Sequence, residues 1–81
     1  MYCTASCPFC QSAERLLVEK GAAIEKVRVD LEPSRRAEMT QRSGRRTVPQ
    51  IWIGGRHVGG CEDLYALERE GKLAPLLTAA T

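Results

Sequence analysis

Two cysteines, Cys7 and Cys10, form the chemically most capable pair in this chain of 81 residues. Residues three positions apart share one face of a helix, so the two thiols can form and break a disulfide with little backbone movement. Pro8 follows the first cysteine, and proline is favoured at the first position of a helix. Cys7 is therefore expected at a helix N-terminus, where unpaired N–H groups stabilise an anion. The pattern predicts Cys7 as the nucleophilic thiolate and Cys10 as its less reactive partner.

Cysteine usage and composition favour a redox role in a reducing compartment. The chain has four cysteines, and its N-terminus lacks the charged segment and apolar run of a secretory signal. Cysteines in a reducing compartment are more often catalytic, redox-active or metal-binding than structural. We therefore expect a cytoplasmic protein rather than a secreted one with two disulfides. No apolar run is long enough to cross a bilayer, so no membrane association is expected.

A metal site is one alternative for the cysteine pair. Cys3, Cys61 and His57 could supply further ligands to a zinc ion held by the pair. Zinc sites of this kind usually use two Cys-x-x-Cys turns, and a proline directly after the first cysteine fits a helix start better. We therefore predict no bound metal. Cys3 is expected to pack in a strand, and His57 is expected to have no role. Cys61 is expected to be a turn residue with an incidental thiol, with a regulatory oxidation site as the alternative.

The positive charges of the chain are concentrated in one segment. The formal net charge is +2, and five arginines fall within residues 35–46, where Glu38 is the one acidic residue. A solvated helix face explains such a run most simply, and a cationic rim for an anionic ligand is the functional alternative. The chain has four aromatic residues, none of them among these arginines, so little surface is available for stacking bases. We predict no nucleic-acid partner.

Hydrophobic periodicity and turn residues predict elements in the order β-α-β-α-β-β-α. The predicted segments are a strand at residues 1–4, helices at 8–20 and 35–43, strands at 24–29, 51–53 and 56–58, and a helix at 61–70. Ser34 is the expected cap of the second helix, Gly44 its end, and Gly54–Gly55 the hairpin turn. A short closing helix is expected around Leu73, Leu76 and Leu77.

These elements predict an α/β fold with a mixed four-stranded sheet flanked by helices. The first β-α-β unit requires a parallel strand pair with a right-handed crossover, and the hairpin requires an antiparallel pair. The length of the chain predicts a single domain over residues 1–81, with a short first strand. Ligands in such sheets bind beyond the carboxyl ends of the parallel strands, which is where Cys7 and Cys10 are expected.

Three segments resemble the glutaredoxin family, and the resemblance extends over essentially the whole chain. They are Cys7-Pro8-Phe9-Cys10, Arg46-Thr47-Val48-Pro49-Gln50 and Gly59-Gly60-Cys61-Glu62-Asp63-Leu64. A Cys-x-x-Cys within a β-α-β pattern is typical of thioredoxin-like redox proteins. The resemblance implies a thioredoxin-like fold and a dithiol glutaredoxin of the small bacterial type. The Trp-Cys-Gly-Pro-Cys sequence of the thioredoxin branch is absent.

The resemblance also implies a glutathione-binding groove beside the cysteine pair. Thr47, Val48 and Pro49 resemble the family's cis-proline loop, in which the Val48 backbone would pair with an extended peptide such as glutathione. Phe9 would supply an apolar wall, at a position where tyrosine is commoner in the family. This segment is therefore predicted to form one side of the binding site.

The other side of the predicted groove is a glycine-rich turn. Gly60, Cys61 and Glu62 resemble the family's turn at a helix start, which receives the γ-glutamyl carboxylate on its N–H groups. Many glutaredoxins have lysine three positions before the nucleophile, where this chain has Thr4. In the family that lysine lies near the glycyl carboxylate of glutathione. Arg36 is predicted to make this carboxylate contact in its place.

The activity that the resemblance implies is glutathione-dependent thiol–disulfide exchange. Cys7 would attack the glutathione sulfur of mixed disulfides, and Cys10 would resolve intermediates with protein disulfides. Glutathione is then a co-substrate, and no cofactor is expected to be bound. The implied partners are glutathionylated or disulfide-containing proteins, and the chain is expected to be a monomer.

Two other functions remain open at this point. Some glutaredoxins hold a glutathione-ligated 2Fe–2S cluster between two subunits, but these usually have Ser or Gly where this chain has Pro8. A non-catalytic binding module with a thioredoxin-like groove is the second alternative. Retention of both thiols, of Pro49 and of the Gly59-Gly60 turn favours the enzyme.

Overall fold

The structure is a computed structural model that describes residues 1–79. Its elements are β1 (Tyr2–Cys3), α1 (Pro8–Glu19), β2 (Val27–Arg28), α2 (Pro33–Ser43), β3 (Ile51–Ile53), β4 (Arg56–Gly59), α3 (Cys61–Arg69) and α4 (Leu73–Ala79). The predicted order of strands and helices is confirmed, and α4 is the expected closing helix. The α/β fold class is therefore confirmed as well.

The four strands are arranged as two short sheets joined by one bridge. β1 pairs with β2 in parallel, and β3 pairs with β4 as an antiparallel hairpin. Tyr2 also bridges to Gln50, with backbone N···O distances of 2.9 and 3.2 Å. The strands therefore lie in the order β2-β1-β3-β4. The predicted continuous four-stranded sheet is reduced to two pairs, because β1 offers only two residues to each neighbour.

Two predicted boundaries are wrong. The strand expected over residues 24–29 is limited to β2 (Val27–Arg28), the two residues that face β1. Ser34 is not the cap of α2, since the helix begins at Pro33 and Glu32 is its N-cap residue. Proline at the first helical position accounts for this earlier start, because its fixed φ suits a helix and its missing N–H is not needed there.

The glycine-based stops are confirmed. Gly44 follows α2 in the left-handed conformation with φ +74°, which closes the helix end. Gly54 and Gly55 connect β3 to β4 with φ values of +57° and +82°. Two consecutive positive φ values give the hairpin the twist of its flanking strands, and glycine adopts them at little cost.

The core consists of two clusters of buried side chains. The larger cluster joins α1, the hairpin and the two C-terminal helices, and its members are Ala13, Leu16, Leu17, Ile51, Ile53, Leu64 and Leu73. The smaller cluster lies under α2 and consists of Tyr2, Val29 and Met39. Ala13, Leu16 and Leu17 recur at helical spacing and form the inward face of α1. Among residues 1–79, no helix is both long and apolar enough to cross a membrane.

Candidate active site

Cys7 lies where the chain enters α1. It is the N-cap residue, with an extended backbone (φ −91°, ψ 113°), and Pro8 is in the first turn. Its carbonyl oxygen accepts the hydrogen bond from the Gln11 N–H at 3.1 Å. Its thiol is half-buried and donates toward the Val48 carbonyl oxygen, with an S···O distance of 3.8 Å. The predicted position at a helix N-terminus is therefore confirmed, and the sulfur faces the loop across the site.

Cys10 lies one turn further along the same helix and is shielded from solvent. Only 3% of its surface is exposed. Burial, reinforced by the neighbouring sulfur of Cys7, raises the pKa of Cys10 to about 12. Because the thiolate is the nucleophilic form, this thiol is poorly reactive near neutral pH. The two thiols are thus unequal, one reachable at the helix start and one buried behind it.

The loop opposite Cys7 carries the cis peptide bond that the resemblance implied. The bond joins Val48 to Pro49, and Pro49 is buried. The Val48 carbonyl oxygen is the one that faces the Cys7 thiol. Gln50 follows and is completely buried, and its side chain donates to the Thr47 carbonyl at 3.1 Å. Buried contacts therefore hold the C-terminal side of this loop, whereas Thr47 itself is exposed.

The turn before α3 forms the other wall of the site. Gly60 is the N-cap residue, and its N–H donates to Asp63 Oδ2 at 2.9 Å. The same carboxylate oxygen accepts from Arg45 Nη1 at 2.8 Å. The Arg45 guanidinium and the Gly60 N–H together lower the pKa of Asp63. Gly59 has φ +119°, and a Cβ there would collide with the Asp63 carboxylate. The close approach of this carboxylate to the backbone therefore requires glycine at position 59.

A groove of about 230 Å³ lies between the loop and the turn. Its lining residues are Phe9, Arg45, Thr47, Val48, Pro49, Gln50, Gly60, Cys61, Glu62 and Asp63. The structure thus brings together all the residues predicted to bind glutathione except one. That one is Arg36, whose guanidinium donates to the Arg46 carbonyl oxygen at 2.9 Å and does not line the groove.

Three lining residues were missed by the prediction from sequence. Gln50 follows the predicted loop directly, so its place beside the groove could have been inferred. Asp63 stands three residues after Gly60, which is the spacing of an acidic side chain that bonds back to an N-cap N–H. Arg45 belongs to the arginine-rich segment, but nothing in the sequence distinguishes it from the exposed Arg46.

The two remaining cysteines have different surroundings. Burial raises the pKa of Cys3 in β1, in agreement with a packing role. Cys61 is half-buried in the groove wall, where burial and the nearby sulfur of Cys7 raise its pKa. Within residues 1–79, no three His, Cys, Asp or Glu side chains converge closely enough to hold a metal ion.

A dithiol at the first strand-to-helix junction, facing a cis-proline loop, defines the thioredoxin-like class of protein. Comparison with known proteins narrows this class. The family model named Glutaredoxin matches residues 1–58. A glutaredoxin from Pseudomonas aeruginosa is 53% identical over 79 residues, covering 98% of this chain and 94% of that protein. Glutaredoxin 3 from Escherichia coli K12 is 48% identical over 77 residues, or 95% and 93% of the two chains. The chain therefore belongs to the glutaredoxin family.

Solved structures agree with this assignment. The solution structure of glutaredoxin from Brucella melitensis is 52% identical, with a TM-score of 0.86 over 99% of this chain and 87% of that one. A crystal structure of a buckwheat glutaredoxin–glutathione complex is 34% identical, with a TM-score of 0.92 over 98% of this chain and 74% of that one. The thioredoxin-like fold predicted from the sequence is thereby confirmed.

Proposed function

We propose that this glutaredoxin is a glutathione-dependent thiol–disulfide oxidoreductase whose nucleophile is Cys7. The observation that carries the proposal is the inequality of the two thiols beside a groove of about 230 Å³. Cys7 is accessible at the start of α1, whereas Cys10 is 3% exposed and has its pKa raised to about 12. The first attack on a disulfide therefore falls to Cys7.

The principal reaction is the reduction of a protein–glutathione mixed disulfide. The Cys7 thiolate attacks the glutathione sulfur, and the protein sulfur leaves as a thiolate that takes up a proton. Cys7 is then joined to glutathione by a disulfide. The thiolate of a second glutathione attacks the glutathione sulfur of that bond, which releases oxidised glutathione and restores Cys7. The N-terminus of α1 favours the negative charge that forms on Cys7 Sγ when it leaves.

Protein disulfides require both cysteines. Cys7 attacks one sulfur of the substrate and forms a mixed disulfide with it. Cys10, one helical turn away, then attacks Cys7 Sγ, which releases the reduced substrate and closes the Cys7–Cys10 bond. This second attack requires deprotonation of Cys10, whose burial opposes it. Two glutathione molecules reopen the bond, and oxidised glutathione is the product.

The groove between the loop and the turn is the proposed glutathione site. Val48 would pair its backbone N–H and carbonyl with the cysteinyl part of the peptide, as a strand pairs with a sheet edge. Gly60, Cys61 and Glu62 begin α3, where backbone N–H groups suit the γ-glutamyl carboxylate. Support comes from the similar fold of the buckwheat glutaredoxin, which was solved with glutathione.

The remaining proposed contacts lie at the edges of the groove. Phe9 is 65% exposed and offers an apolar wall beside Pro49. Thr47 lines the same cavity. Arg36 is proposed to reach the glycyl carboxylate, for which its guanidinium would leave the Arg46 carbonyl oxygen. We further propose a cytoplasmic, monomeric protein with one domain over residues 1–81, whose partners are glutathionylated or disulfide-containing proteins and which carries no bound cofactor.

Two cysteine variants test the assignment of roles. The readout is reduction of a peptide–glutathione mixed disulfide with glutathione and glutathione reductase, alongside reduction of a protein disulfide. Cys7→Ser is expected to abolish both activities. Cys10→Ser is expected to keep the first activity and lose the second, because only the second needs a resolving thiol. Cys3→Ser, which removes a thiol buried in β1, is the control.

The opposite pattern would contradict the proposal. If Cys10→Ser is inactive in both assays while Cys7→Ser retains turnover, the roles of the two thiols are reversed. If the unmodified protein shows no turnover with glutathione, the enzyme assignment itself is wrong, and the binding-module alternative gains support.

A further inference from the structure

The side chain of Gln50 lies at the centre of a hydrogen-bonded bridge behind the groove. It is the one fully buried polar side chain in residues 1–79, with 0% exposed. Its Nε2 donates to the Thr47 carbonyl at 3.1 Å and lies 3.4 Å from the Thr47 hydroxyl. Its Oε1 lies 2.9 Å from Nε2 of His57. The bridge therefore runs from the loop, through Gln50, to the hairpin.

The partners of the amide determine its orientation. The Thr47 carbonyl can only accept, so the NH₂ group of Gln50 faces the loop and its oxygen faces His57. An amide oxygen can only accept as well, so His57 must donate from Nε2–H. Both the neutral Nε2–H tautomer and the cation satisfy this requirement. His57, for which the sequence predicts no role, holds the Gln50 side chain through this hydrogen bond.

The far end of the bridge is held by ring packing. His57 on β4 stands opposite Trp52 on β3, with ring centroids 4.6 Å apart. Arg42 from α2 lies over the Trp52 ring, with its guanidinium carbon 4.5 Å from the ring centroid. The imidazole is therefore held against Trp52 within the hairpin, and it supports the Gln50 oxygen from that side.

The main chain of Gln50 is held as firmly as its side chain. Its N–H and carbonyl both pair with Tyr2 in β1, at 3.2 and 2.9 Å. One residue thus ties the C-terminal end of the loop to the sheet and, through its amide, the Thr47 end as well. Val48 lies between these two points, and its carbonyl oxygen is the group that faces Cys7 Sγ.

We propose that Gln50 and His57 are positioning residues for the exchange reaction. The bridge fixes Thr47 and Val48 at the separation from Cys7 that a bound glutathione requires. The inference rests on the proposed function and adds a determinant of substrate affinity to it. A loop that already has its binding conformation loses less conformational freedom when a ligand binds, so the support behind the loop favours substrate affinity.

Two variants remove the bridge without touching Cys7. Gln50→Met keeps a similar shape but cannot donate to Thr47, and His57→Phe keeps a ring on Trp52 but cannot donate to Gln50. In each variant, KM for a peptide–glutathione mixed disulfide is expected to rise about fivefold or more, with kcat within about twofold. The reason is that the lost support stabilises the bound substrate and the transition state equally. His57→Gln, whose amide can donate, is expected to recover part of the affinity.

Two further measurements separate positioning from general stability. The rate of Cys7 alkylation by iodoacetamide should stay within about twofold, because the position of the thiol at the start of α1 does not depend on the bridge. The urea midpoint is recorded for each variant. A lower midpoint with an unchanged KM in both variants would overturn the inference, since the bridge would then be structural only. If Gln50→Met does not fold, the KM of His57→Phe alone decides the outcome.

Failure of the proposed function remains distinguishable from failure of this inference. If the unmodified protein has no turnover, the proposed function is wrong, and ¹⁵N relaxation dispersion at Thr47 and Val48 then tests the bridge directly. Exchange broadening that appears at these two amides in both variants supports a positioning role for the bridge. Identical dispersion in the variants and the unmodified protein overturns it.

Discussion

The two thiols of the pair differ because of where the helix places them. Cys7 occupies the N-cap position, outside the first turn, and its sulfur faces the Val48 carbonyl. Cys10 lies inside the turn and points into the protein, so it is both buried and next to another sulfur. The spacing of the pair and the proline between them were enough to predict this asymmetry. The sequence could not predict the position of Arg36, because its partner is a backbone carbonyl ten residues away.

The titration of Cys10 should be visible in the stability of the reduced protein. Burial raises its pKa from 9.0 to about 12, so the folded chain keeps this proton over a range in which the unfolded chain loses it. Between about pH 9 and 12 the folded state therefore binds more protons, and stability falls as the pH rises. The loss attributable to this thiol is at most about 1.4 kcal/mol per pH unit.

The comparison that isolates this effect is with Cys10→Ser, which has no thiol to titrate. Urea unfolding of both reduced proteins is measured at pH 8, 9 and 10. The free energy of unfolding of the unmodified protein should decline more steeply above pH 9 than that of the variant. Parallel curves over this range would show that the buried thiol does not carry a raised pKa.

At the scale of elements, the groove depends on how the loop and the α3 start are held together. Arg45, from the segment before the loop, and Gly60, at the helix start, share one oxygen of Asp63. The glycine-rich turn was predictable from sequence, since two glycines precede an acidic first turn. The ion pair was not, because five neighbouring arginines gave no means of choosing among them.

Elements that depend on partners were also the ones predicted least well. Alternation of apolar and charged residues favoured a strand over residues 24–29, but only Val27 and Arg28 find a pairing partner in β1. The start of α2 differs from the prediction because Pro33, and not a residue after Ser34, takes the first helical position. Local patterns therefore gave the order of the elements, whereas their ends were decided by pairing and capping.

Asp63→Asn tests the contribution of the shared carboxylate. Arg45 and the Gly60 N–H lower the pKa of Asp63 below 3.8, so its stabilisation is present above that pH and is lost as the pH falls below it. The variant should lose about 1 kcal/mol in the free energy of unfolding at pH 7, the usual size of a capping contribution. The difference should shrink as the pH falls below 3.8.

Glu62→Gln is the matched control for this substitution. Glu62 is the preceding residue of α3, and it is exposed. Its amide variant should change the stability at pH 7 by less than about 0.5 kcal/mol. Equal losses in the two variants would mean that a general charge effect at the helix start, and not the shared hydrogen bonds, supports the turn.

At the scale of the whole molecule, the C-terminal helices share a core with the segment that carries the dithiol. Leu73 in α4 is 0% exposed and belongs to the cluster that contains Leu16 of α1 and Ile51 of β3. The family model ends at residue 58, before both C-terminal helices. Packing nevertheless makes α3 and α4 part of the support of α1, because their buried leucines pack in the same cluster as its inward face. We therefore expect the described chain to unfold as one unit.

Leu73→Ala tests this expectation. Truncation of a fully buried leucine removes apolar contacts and leaves a cavity, so the free energy of unfolding should fall by about 2–5 kcal/mol. Leu31→Ala, at a position that is 69% exposed, should change it by less than about 0.5 kcal/mol. Urea unfolding followed by Trp52 fluorescence and by far-ultraviolet circular dichroism should give coincident transitions in both variants. Separate transitions for the two probes, or a Leu73→Ala midpoint equal to that of the unmodified protein, would mean that α4 folds independently of the sheet and the redox site.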